Sequence, residues 1–151
     1  MSKVPDCIVT DHFMSKKIVG SFAKGINTTP INIKKFKDYS KPIVTYGILR
    51  GTGDLLHKVK NFYFIDHGYF HSSKRFFRQG KTFIDSLDGH FRVVKNDFFH
   101  SGKGNCKRDR FEKLNIRIKE KRNSGEFIIL SEPSIYVKNF FQLDDWINST
   151  I

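Results

Sequence analysis

The chain has little of what staples small proteins or carries them through membranes. Only two of its 151 residues are cysteine, Cys7 and Cys106. They lie far apart with no CxxC pair, which excludes a disulfide scaffold and a thiol-based zinc site as organising features. Reduced, buried or half-buried thiols are the simplest reading. No stretch approaches the roughly 18 apolar residues of a spanning helix, and no N-terminal apolar run resembles a signal peptide. The expected setting is therefore the cytoplasm, with no membrane span. Proline (4), methionine (2) and tryptophan (1) are scarce. There is no internal repeat and no low-complexity tail, and no motif asks for a cofactor or a metal.

Phenylalanine is abundant. Sixteen Phe and five Tyr supply either an aromatic core or exposed stacking surfaces. The length suits one domain that buries a core unaided. Charge is the other excess, with 27 basic against 15 acidic side chains and a net +12. It is uneven. Residues 1–125 hold 26 bases and 11 acids, whereas residues 126–151 hold Lys138 against Glu126, Glu132, Asp144 and Asp145. Such a field gathers anions, including nucleic acid and nucleotide phosphates. It also reads as a solvated face that keeps the protein soluble.

Hydrophobic runs and turn residues give the organisation. A strand is expected over Val4–Thr10 and a helix over Phe13–Lys24, stopped by Gly25. An extended stretch follows from Ile31 to Phe36. Ile43–Leu49, a helix from Thr52 or Asp54 to about Lys60, and Phe62–Asp66 form a compact βαβ unit. Phe91–Val94 reads as a strand. The polar segment 101–125 is basic, and within it Arg108–Lys121 reads equally as a helix or a mobile stretch. Phe127–Leu130 is expected as a last strand, and a closing helix runs from Ile135 to about Asn148. The alternation predicts an α/β fold: one domain over 1–151 with a mostly parallel open sheet, helices on both faces, and a Rossmann-like body at 1–125.

Ligands of such sheets sit beyond the carboxyl ends of the strands. Four expected strand ends are polar: Thr10-Asp11-His12, Arg50-Gly51-Thr52-Gly53, Asp66-His67-Gly68-Tyr69 and Ser131-Glu132-Pro133-Ser134. Arg50 offers a forked donor for phosphate, and Gly51, Thr52 and Gly53 offer a helix start. The segment lacks the spacing of a P-loop, and an ordinary tight turn accounts for the same glycines. Asp66 beside His67 suits general acid–base chemistry, with Asp66 orienting the imidazole, Gly68 admitting a ligand and Tyr69 stacking or hydrogen-bonding. A polar strand exit with a structural histidine explains these residues too. Asp11 and His12 repeat the pairing, although their spacing demands no metal. His90, Asn96 and His100 lack the paired histidine and long loop of a ββα-metal nuclease. Ser131–Ser134 is a good helix cap. Lys74, Arg75 and Arg78, interleaved with Phe76 and Phe77, and Lys103, Lys107, Arg108 and Arg110 are the polyanion-binding candidates. Single-stranded nucleic acid is bound by this mixture of bases and rings, but core rings with solvated basic neighbours give the same pattern.

The runs Pro42–Thr52, Phe62–Phe70, Phe91–Asn96 and Phe127–Ser134, with Asp66-His67-Gly68-Tyr69-Phe70 the most specific block, resemble uncharacterised glycosyltransferase-like proteins of bacteriophages. The resemblance covers roughly residues 40–151. It implies the two-lobed GT-B architecture, in which two Rossmann-like sheets hold a nucleotide-sugar between them. Residues 1–125 would match the first, acceptor lobe, and Phe127 onward only the start of the donor lobe, leaving transfer activity open. The functional expectation is a glycosyltransferase-like phage protein that binds a nucleotide or nucleotide-sugar, in the cytoplasm of a bacterium or an infected host cell. His67 would be the base, helped by Asp66. The alternative is a non-enzymatic nucleic-acid or polyanion binder acting on host machinery. A third reading is an interaction module whose charge serves only solubility. A homo-oligomer is compatible with each.

Overall fold

The computed structural model describes residues 4–68, 75–78, 82–85, 90–99 and 129–150, with single positions at 112, 117, 120 and 125. The chain divides into two compact units, Met1–His100 and Ser101–Ile151.

The first unit is built on a five-stranded, mostly parallel sheet. In chain order its elements are β1 (Asp6–Val9), α1 (Phe13–Gly25), β2 (Ile31–Asn32), a 3-10 turn (Ile33–Lys35), β3 (Ile43–Tyr46), α2 (Thr52–Lys58) and β4 (Phe62–His67). The hairpin strands β5 (Arg75–Arg78) and β6 (Thr82–Asp85) and the strand β7 (Phe91–Lys95) follow. The strand order across the sheet is β2-β1-β3-β4-β7. Strands β2, β1, β3 and β4 run parallel, while β7 pairs antiparallel with β4. The fold is thus α/β. β5 and β6 form a separate antiparallel pair with Arg75 opposite Asp85 and Arg78 opposite Thr82.

Strand alternation sorts the core into two faces. Cys7, Val9, Val44 and Ile65 pack against Val19 and Ala23 of α1. Ile8, Ile43 and Phe64 pack against Leu55 and Leu56 of α2. The two helices therefore cover opposite faces. Ile8, Ile43, Val44 and Val19 are completely buried, and each such side chain contributes about 1.5–3 kcal/mol.

Several local expectations are corrected. Gly25 is the last residue of α1 rather than the stop beyond it, and Ile26 closes the helix by donating to Phe22 and Ala23. The extended stretch at 31–36 is a two-residue strand, because Asn32 turns the chain into the 3-10 turn by accepting from the Lys34 N–H. Neither Thr52 nor Asp54 caps α2. The cap is Gly51, with φ at +86°, a backbone conformation that glycine adopts without penalty.

In the second unit Ile129 and Leu130 are irregular and exposed, Ile129 by 92%, so the expected last strand is absent at these two residues. Residues 126–128 lie outside the described residues. The closing helix is two helices, α3 (Ile135–Phe141) and α4 (Trp146–Thr150). The Ser134 hydroxyl caps α3 by accepting from the Val137 N–H, as expected. The break comes at Gln142, which turns left-handed at φ +55° and lets Leu143 donate back to the Lys138 carbonyl. Such a turn satisfies the carbonyls left open at a helix end. Among the described residues no helix is long and apolar enough to cross a membrane.

Candidate functional site

The parallel strands β1, β3 and β4 end at one edge of the sheet. Three of the four polar strand ends therefore lie along one rim: residues 10–12, 47–53 and 66–68. The fourth, Ser131–Ser134, follows no strand among the described residues, and its Ser134 caps a helix.

Between β1 and β3 the chain order reverses. The path from β1 runs through α1 to β2 on one side, then returns to β3 on the other side of β1. The loops leaving β1 and β3 consequently diverge toward helices on opposite faces and leave a crevice at the carboxyl edge. One wall starts with Thr10, whose N–H donates to the Ser15 hydroxyl at 3.0 Å. His12 is the N-cap of α1; it makes no side-chain cap, and the first turn of the helix carries no acid. Open N-terminal amides of this kind favour negative charge.

The other wall is the loop from Gly47 to Gly51. It passes through left-handed backbone three times, at Gly47 (φ +66°), Arg50 (+62°) and Gly51 (+86°). The buried Thr52 hydroxyl sits beneath it, 2.8 Å from the Gly47 carbonyl and 2.7 Å from that of Leu49. Thr52 and the buried Gly53 thus shape the loop from within. Arg50 is exposed and forms no ion pair among the described residues.

Asp11 is exposed at the rim. Its carboxylate accepts from Asn32 at 3.0 Å and pairs with Lys34 at 2.7 Å. These hydrogen bonds hold its pKa below the usual carboxylate value and raise that of Lys34. Lys34 and Asn32 were not expected at the rim. They arrive because β2 pairs with β1 at Val9–Asn32.

Asp66 and His67 do not form the expected dyad. As consecutive strand residues they point to opposite faces. One Asp66 oxygen accepts from the His67 backbone N–H at 2.8 Å, and the other lies 3.5 Å from the Arg92 guanidinium. The His67 imidazole lies on the α1 face, where its Nε2 is 2.8 Å from the Tyr46 hydroxyl. Gly68 donates to the His90 carbonyl at 2.7 Å, and a β-carbon at Gly68 would lie 2.9 Å from that oxygen. Its glycine is thus explained by the close passage of β7, a reason distinct from ligand approach. Arg92 and Tyr46 were missed as partners. Period-two alternation in β3 and β4 was the signal that placed Tyr46 with His67 and Asp66 away from it.

Among the described residues no three of His, Cys, Asp and Glu stand together as a metal-binding group. Arg75 and Arg78 lie on β5. Tyr69, Lys74, Lys103, Lys107, Arg108 and Arg110 lie outside the described residues, as do His100 and most of the expected segment Arg108–Lys121. No protein-family model, curated protein or solved structure matches this chain.

Proposed function

We propose that this chain binds a phosphate-containing ligand, such as a nucleotide or nucleotide-sugar, in the crevice between β1 and β3 of a Rossmann-like sheet. The observation that carries this reading is the reversal of strand order at that point, with Thr10–His12 on one wall and Gly47–Gly51 on the other. Open α/β sheets bind ligands at such a reversal. The exposed Arg50 guanidinium on the loop is the candidate phosphate contact, because its planar fork matches two phosphate oxygens. The net charge of +12 draws an anion toward the rim. The resemblance to glycosyltransferase-like phage proteins favours a nucleotide-sugar. That reading places the protein in the cytoplasm of a bacterium or an infected host cell.

Thermal unfolding against a panel of nucleotides, nucleotide-sugars and inorganic pyrophosphate tests the proposal. A ligand at 100 times its Kd stabilises the folded state by about 2.7 kcal/mol, a rise of roughly 5–10 °C for a chain of this size. The absence of any rise across the panel would refute it. A second reading, binding of a nucleic acid, is favoured by the 26 bases among residues 1–125. It predicts affinity for single-stranded oligonucleotides that falls steeply with salt, and it fails if no such binding occurs at low salt.

A further inference from the structure

Tyr46 ends β3 and His67 ends β4. In the parallel register Tyr46 lies opposite Ile65, so His67 stands two residues further toward the rim on the same face. The phenol reaches across this offset, with its oxygen 2.8 Å from Nε2 of the imidazole. The two rings meet edge to face, 5.8 Å apart at 76°. Phe91, directly opposite His67 on β7, covers another side of the imidazole at 5.3 Å and also meets Tyr46 at 6.3 Å. Rings and hydrogen bond together fix where the imidazole sits and how it is turned. Asp66 has no part in this, since its carboxylate is engaged by Arg92 and the His67 backbone N–H.

We infer that Tyr46 is the positioning residue of His67, donating its hydroxyl proton to Nε2 and so fixing the neutral imidazole with its own proton on Nδ1. The chemistry follows from the two groups. A phenol carries one O–H donor, and a neutral imidazole has one bare ring nitrogen that can only accept. Which nitrogen of a histidine is protonated is set by the hydrogen bond that the other makes. Tyr46 orients the imidazole as the acid does in an Asp–His dyad, but with the opposite polarity: a carboxylate accepts the ring N–H, whereas the phenol engages the ring's lone pair. It does so from the adjacent parallel strand, one residue before the Gly47–Gly51 loop begins. The importance of this pair for ligand binding rests on the phosphate-ligand reading above; the tautomer does not.

The experiment has two parts that fail independently. Long-range ¹⁵N–¹H spectra of the full chain, taken where His67 is neutral, are expected to show Nδ1 protonated and Nε2 bare. Tyr46→Phe keeps the ring that packs in the sheet and removes only the hydroxyl; it is expected to shift the ring toward the Nε2–H form. A wild-type Nε2–H ring, or a tautomer ratio unchanged in Tyr46→Phe, overturns the inference. The second part uses whichever nucleotide-sugar stabilises the wild type. Tyr46→Phe and His67→Ala are each expected to weaken its binding by about 5- to 10-fold, the scale of one lost hydrogen bond. The double variant should be no weaker than His67→Ala alone, because the two residues act as one unit. Additive losses overturn the positioning role. If no nucleotide-sugar binds the wild type, the ligand reading falls while the spectra still decide the assignment.

Discussion

Asp66 and Arg92 face each other directly across the antiparallel β4–β7 pair, with the guanidinium 3.5 Å from the carboxylate and its side chain only 14% exposed. Arg92 also donates to the Phe98 carbonyl, and it lies over the rings of Phe64 (5.6 Å) and Phe99 (5.9 Å). One cation thereby ties the sheet edge to the turn at 97–99. Removing Arg92 takes away its bond to Phe98 and its packing on two rings as well as the ion pair, whereas the Asp66 side chain is 36% exposed and stays accessible to water. Arg92→Ala is expected to cost about 2–4 kcal/mol in urea unfolding. Asp66→Asn should cost about 1 kcal/mol, because an amide oxygen still accepts from the His67 N–H. Equal losses in the two variants would contradict this account.

Gly68 has no room for a side chain, since the obstructing atom is the backbone oxygen of His90 and cannot swing aside. Gly68→Ala is expected to destabilise the protein by about 1–3 kcal/mol, the usual cost of overpacking. An unchanged midpoint of denaturation would show that β7 gives way at this point.

Arg50 separates binding from stability. Its left-handed backbone (φ +62°) strains a residue with a β-carbon and suits glycine. Arg50→Gly should leave stability unchanged or raise it by up to about 1 kcal/mol. It should also weaken a phosphate ligand by about tenfold, consistent with loss of a charge-assisted contact. Calorimetric titration with a stabilising nucleotide checks this, and unchanged affinity would remove Arg50 from the site.

Cys7 is fully buried in the sheet. Burial, with a smaller contribution from the Asp6 charge, pushes its thiol from 9.0 up to about 11. The folded state thus prefers the protonated thiol more than the unfolded chain does. The contribution is complete below about pH 9 and is lost as pH rises toward 11. Cys7→Ala, although less stable at neutral pH for lack of the buried sulfur, should show a shallower decline between pH 9 and 11 in denaturant titrations. Parallel slopes for the two proteins would exclude the thiol as a source of alkaline sensitivity.

Much of the sheet was legible in the sequence because short apolar runs such as Ile43–Leu49 and Phe62–Asp66 alternate with turn residues and helical spacing, although the first strand of that pair stops at Tyr46. The rim was legible for the same reason, since strand ends can be placed once strands are parallel. Partnership across strands was harder to read. Asp66 and His67 are neighbours in sequence and therefore opposed in space, while Tyr46 and Arg92 reach them only through register, which is set by pairing between distant segments. The break at Gln142 was hidden because the apolar spacing continues through it, from Phe140 and Phe141 to Trp146.

The parallel portion of the sheet, both helices that flank it and the crevice all derive from residues 6–67. Of the five strands in that sheet, the antiparallel β7 alone comes from later in the chain. Chains fold from the N-terminus as synthesis delivers them. On the ribosome the crevice can therefore be assembled before the strand that seals the edge of β4 has emerged. Until then β4 is an open edge, the kind of surface that pairs with other chains. For a nascent chain, the hazard is the time it takes to translate from His67 to Phe91.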